Sequence, residues 1–121
     1  MTELQQTILS ELTTDSFYFW EVAADPALDP LLRDVPEDQR LDAVIREVRE
    51  MLETGWLEVE RPVDAVDETG TRKYMSVSKE ESLEIVKDHR YWIYDSPGFV
   101  MYELIATEAG DAVYFASGQK T

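Results

Sequence analysis

Cysteine is absent from this 121-residue chain, which excludes a disulfide framework and thiolate metal sites. Histidine occurs once, so a histidine-based triad has His89 as its sole candidate and paired-histidine zinc motifs are excluded. His89 lies between Asp88 and Arg90 near an expected helix end, where a cation is favoured, and this suits a surface or capping role. Basic residues are scarce: 11 Lys and Arg face 26 Asp and Glu, a formal charge of −15. Affinity for DNA or anionic lipid comes largely from Lys and Arg displacing counterions, so a generic binder of either is disfavoured. No apolar run approaches the roughly 20 residues of a membrane span. The leading Met-Thr-Glu-Leu-Gln-Gln lacks the basic and apolar regions of a signal peptide, and a cytoplasmic location is expected. Glycine loops that cradle phosphate and the HExxH pattern are missing, and Asp64, Asp67 and Glu68 lack the further ligands of a calcium loop. The expectation is a non-enzymatic protein with no catalytic, cofactor-binding or metal-binding residues.

What is present is a foldable domain. Hydrophobic residues make up 44% of the chain and 13 are aromatic, enough for one core that buries roughly two thirds of the unfolded surface. The charge is uneven. Up to Pro62 there are 15 acidic and 5 basic residues, net −10; residues 63–98 carry 8 and 5, net −3; the remainder carries 3 and 1, net −2. High charge of one sign serves solubility in many proteins, and it also repels polyanions.

The organising stretch runs from Asp34 to Arg61. Leu41, Val44, Ile45, Val48 and Leu52 recur on one helical face, and the helix is expected from about Glu37 to Thr54. Asp34 with Glu37 reads as an aspartate capping box, with Pro36 in the first turn. Gly55 suits the left-handed position past the helix end, and Trp56-Leu-Glu-Val-Glu60 alternates as a strand.

Upstream, Leu4, Ile8, Leu9 and Leu12 predict a first helix over Glu3–Leu12. Phe17-Tyr-Phe-Trp20 suits either a short helix or a strand. Asp25-Pro26 and Asp29-Pro30 punctuate a linker, each proline disfavouring helical geometry in its aspartate and Asp29 placed to cap a turn through Leu31 and Leu32. Downstream, Leu57–Val66 and Arg72–Val77 predict a hairpin around Asp67–Gly70. Ser78 with Glu81 reads as a capping box opening a helix to about Asp88 that buries Leu83 and Val86. Tyr91–Tyr94 and Phe99–Ala106 flank Asp95-Ser-Pro-Gly98 as a second hairpin, whose later strand is apolar on both faces and therefore central. Thr107 and Glu108 open a last short helix or turn, and Ser117–Thr121 reads as a frayed tail.

The order helix, short helix, long helix, hairpin resembles a winged helix-turn-helix domain. Val48-Arg-Glu-Met-Leu-Glu-Thr-Gly-Trp-Leu-Glu-Val-Glu-Arg61 is similar to the recognition-helix end and first wing strand of bacterial regulators of the MarR and PadR type. Tyr102-Glu-Leu-Ile-Ala-Thr-Glu-Ala-Gly110 resembles the leucine-threonine-x-x-glycine segment that leaves the wing in that family. The resemblance covers residues 1–66 and 99–112. It implies an α+β, winged-helix-like single domain over residues 1–121, three N-terminal helices followed by β-hairpins, with 67–98 as an inserted hairpin and helix. Either hairpin then qualifies as the wing.

The resemblance implies DNA binding through the exposed face of the long helix, and the residues there argue against it. That face carries Asp42, Arg46, Arg49, Glu50 and Glu53, and each arginine has an acidic neighbour four residues away. From Glu37 to Glu53 there are 6 acidic and 3 basic residues, net −3. Carboxylates facing phosphates oppose approach, so Arg40, Arg46 and Arg49 are the residues on which DNA recognition would have to rest. Three readings follow. The first is contact with a basic protein partner through Asp42, Arg46, Arg49, Glu50 and Glu53, or with a second copy through an aromatic surface of Trp92, Tyr94 and Tyr102, to which Phe99 also belongs. The second is a phage-type inhibitor whose carboxylates imitate a phosphate backbone. The third is a DNA-binding transcriptional regulator. Aromatics at strand spacing are also the usual content of a core.

Overall fold

The computed structural model describes residues 1–116, and of Asp64 the backbone alone; the expected tail at 117–121 lies outside the described residues. The chain is α+β. It runs α1 (Glu3–Leu12), β1 (Phe17–Tyr18), α2 (Phe19–Ala23), α3 (Arg40–Thr54), β2 (Leu57–Val66), β3 (Arg72–Ser76), α4 (Lys79–Val86), β4 (Glu103–Ala106) and α5 (Glu108–Ala116), with short 3₁₀ turns between.

Local chemistry accounts for most boundaries. α1 opens on a reciprocal box: the Thr2 hydroxyl accepts the Gln5 N–H and the Gln5 side chain accepts the Thr2 N–H, both at 3.0 Å. Both readings of Phe17–Trp20 are realised in part, because Phe17–Tyr18 pairs as a strand and Phe19 starts a helix. The Glu21 carboxylate accepts the Tyr18 N–H at 2.9 Å, satisfying an orphan donor at that junction. Gly55 takes φ +89°, and the Gly55 and Trp56 N–H groups donate back to Leu52 and Met51, so α3 stops where expected. In the β2–β3 loop one Asp67 oxygen accepts from the Thr69 N–H, the Thr71 N–H and the Thr69 hydroxyl. Ser78 accepts the Glu81 N–H at the start of α4.

Four expectations are corrected. The Asp34 cap does not form: Pro36 is extended (ψ 141°), a 3₁₀ turn occupies Glu37–Gln39, and α3 begins at Arg40. A cap at Asp34 would need helical geometry at Val35, which Pro36 disfavours. Asp25 is extended and caps its turn through the Ala27 N–H, but Asp29 is helical and caps nothing through its side chain. α4 ends at Val86 and buries Ser82, Ile85 and Val86, with Leu83 only partly buried.

The fourth correction is the second hairpin. Residues His89–Trp92 form a 3₁₀ turn, started by Asp88 accepting the Arg90 N–H at 3.0 Å, and β4 is confined to Glu103–Ala106. β4 has no free edge for that partner. β1 pairs on one side (Phe17 with Leu104) and β2 on the other (Leu57 with Ala106), antiparallel, giving the sheet order β1-β4-β2-β3. The expectation that this strand is central holds.

The helices cover the sheet around one core cluster. From α3 it takes Val44, Ile45, Val48, Met51 and Leu52, with Leu41 half-buried, and the 67–98 segment adds Val77, Ile85, Val86 and Trp92.

Candidate partner-binding surfaces

On α3 the side opposite the buried stripe presents Asp42, Arg46, Glu50 and Glu53, all exposed. The expected pairing of arginines with acids four residues away is absent. Among the described residues the ion pairs of Lys and Arg are Arg61–Glu81, Lys87–Glu84 and Arg90–Asp88. Asp42 turns across to the His89 ring at 2.7 Å, which gives the single histidine a tie between α3 and the turn after α4. Lys79 donates to the Glu53 carbonyl at 3.0 Å, placing a cation at the negative end of α3.

Arg49 does not belong to the open face. It is half-buried and its Nε has no hydrogen-bond partner. The Glu84 carboxyl on α4 is held below its ordinary range first by the hydrogen bond and charge of Lys87, and to a smaller extent by the charge of Arg49. Arg40 is held as well, donating from Nε to the Val35 carbonyl at 3.2 Å. Of the three arginines on which DNA recognition would rest, Arg46 alone stands exposed.

The aromatic group divides. Trp92 is corrected from surface to core: it is 3% exposed, its ring lies 4.8 Å from Phe19, and its indole N–H donates to the Val86 carbonyl at 2.9 Å. Tyr102 is half-buried against Phe19 and Tyr91. Tyr94 is a surface residue, 63% exposed, lying between Trp20 at 5.3 Å and Phe99 at 5.7 Å.

Three features escaped the sequence reading. Glu60 and Glu103 stand directly opposite each other on β2 and β4, and burial raises the pKa of both. Glu103 accepts from the Ser16 hydroxyl at 3.0 Å, which offsets part of its shift. The Tyr18 and Tyr74 hydroxyls meet at 3.4 Å beside them. A cavity of about 290 Å³ opens among α1, β1, α2 and the turn that follows, with Trp20 in its wall. The first two bring together residues far apart in the chain, while the cavity is local to residues 8–26, where only the run of aromatics at Phe17–Trp20 hinted at it.

No family model, curated protein or solved structure matches this chain. Among the described residues no three His, Cys, Asp or Glu side chains gather as metal ligands, and no helix is long and apolar enough to cross a membrane.

Proposed function

We propose that the chain is an acidic, winged-helix-like protein that works without catalysis, by contact with a basic protein partner through the solvent face of α3. The winged-helix part is supported by the order α1, α2, α3, β2, with β4 returning between β1 and β2 and residues 67–98 added before that return. The observation that carries the partner reading is the α3 face itself. Asp42, Glu50 and Glu53 are exposed there with Arg46 as the one exposed arginine of the helix, Arg49 being half-buried. Such a face repels phosphate and attracts a basic surface.

The test separates this from the regulator reading. At physiological salt, random duplex DNA should show no detectable binding by fluorescence anisotropy. Micromolar or tighter binding that vanished in the pair Arg46→Ala and Arg49→Ala would put DNA recognition in its place. Affinity capture from the native cell should then return a basic protein. If that protein itself binds nucleic acid and DNA competes for it, the acidic face is acting as a phosphate-backbone mimic.

A further inference from the structure

We infer that the cavity between α1, β1 and α2 is a receptor for one arginine or lysine side chain of a basic protein partner. This rests on the proposed acidic, partner-binding role and gives it a second, more specific point of contact. The cavity is built in two parts. Ile8, Phe17, Trp20 and Val22 make an apolar body, which suits the methylene stem of a long basic side chain. Glu11, Glu21 and Asp25 also line it, and the lining holds no Lys, Arg or His to compensate them.

The three carboxylates come from different elements, so they are not a solvated run along one helix face. Glu21 is fixed by accepting the Tyr18 N–H, and Asp25 by accepting the Ala27 N–H at 3.0 Å. Glu11 lies against Asp25, and its carboxyl is raised above the ordinary range, first by burial and then by the charge and hydrogen bond of Asp25. None of the three enters an ion pair among the described residues. A guanidinium or ammonium entering here gains charge-assisted hydrogen bonds and offsets the negative charge that Glu11 and Asp25 bring together, beside Trp20 in the cavity wall.

The surroundings suit a protein rather than a free cation. Trp20 continues at 5.3 Å into Tyr94, which with Ile93 (52% exposed) leaves apolar ground outside the cavity. Residues flanking the inserted side chain would rest there, in the pattern of an anchor with an apolar surround.

An NMR titration with a defined probe tests the inference. The probe is a capped pentapeptide with one arginine between two leucines, compared with the same peptide carrying neutral citrulline. The chain has three tryptophans, so the Trp56 and Trp92 indole signals serve as internal controls. The Trp20 indole signal should move saturably while those two stay still, and the citrulline peptide should bind about tenfold more weakly. Glu11→Gln combined with Asp25→Asn should weaken the arginine peptide by about tenfold without lowering the thermal melt, each amide keeping the shape of its acid. Should the double variant melt early, Asp25→Asn alone, which retains the oxygen that caps Ala27, should still weaken binding several-fold.

Equal binding of the two peptides, or shifts confined to α3 amides, would overturn the inference. Reversing Asp42, Glu50 and Glu53 to lysine should leave the Trp20 response in place. Failure of the α3 reading and failure of the cavity reading are thereby told apart.

Discussion

Gly110 shows how a single residue ties distant elements together. It lies in the first turn of α5, where its N–H donates to the Thr107 hydroxyl at 3.1 Å while that hydroxyl donates to the Gly55 carbonyl at 2.6 Å. A Cβ placed on Gly110 would collide with the Trp56 carbonyl oxygen, which itself accepts the Thr107 N–H at 2.9 Å. The obstacle is backbone, so it cannot swing aside. Gly110→Ala should therefore cost about 1–3 kcal/mol by forcing α5 away from the start of β2. Urea unfolding measures it, and an unchanged midpoint would mean that α5 is seated elsewhere. At the same scale, Glu103 faces Glu60 across the strands and burial raises its pKa. A carboxyl whose folded pKa is raised stabilises the fold while protonated, and that contribution is lost as pH rises through the raised value. Glu103→Gln should accordingly stabilise the protein at pH 7, by roughly 0.2–1 kcal/mol for removing a like-charge cross-strand pair. The gain should shrink as pH falls through the raised pKa and vanish below the ordinary carboxyl value, where the side chain is neutral in the folded and the unfolded chain alike. A gain that persisted at low pH would show that packing, not charge, is responsible.

Elements with strong local signals match their sequence reading, and those decided by distant competition do not. α1, the buried stripe of α3, its stop at Gly55 and the β2–β3 hairpin each follow from residues within a turn or two of one another. Tyr91–Tyr94 carries an equally good strand pattern, but its intended partner, β4, is claimed on both edges by β1 and β2, from residues 17–18 and 57–60. Nothing in the local pattern reveals that competition. The candidate site behaved in the same way. Exposure of Asp42, Arg46, Glu50 and Glu53 was legible from helical periodicity, whereas the half-burial of Arg49 and the burial of Trp92 against Phe19 depend on elements packing in from elsewhere. Asp34 and Ser78 separate these cases experimentally. Asp34→Ala should change stability by under about 0.5 kcal/mol, since it caps nothing, while Ser78→Ala should cost about 0.5–2 kcal/mol through the lost bond to the Glu81 N–H. Thermal melts of the two variants that came out equal would contradict the assigned boundary of α3.

Across the whole molecule the dominant feature is the charge asymmetry, with −10 of the −15 lying before Val63. The α3 face and the cavity beside α2 both fall in that stretch, so the field and its two candidate points of contact coincide along the chain. A field of this kind accelerates encounter with a basic partner far more than it holds the finished complex. The measurement that bears most directly on this account is the association rate of the captured partner by surface plasmon resonance, at about 50 mM and about 500 mM salt, between which the Debye length shrinks from about 14 Å to about 4 Å. Association should slow markedly with salt while dissociation changes less, and the triple reversal of Asp42, Glu50 and Glu53 to lysine should slow it further in a protein that remains folded at the assay temperature. An association rate indifferent to both salt and the reversals would contradict the account, and would move the contact to the exposed apolar ground around Ile93 and Tyr94.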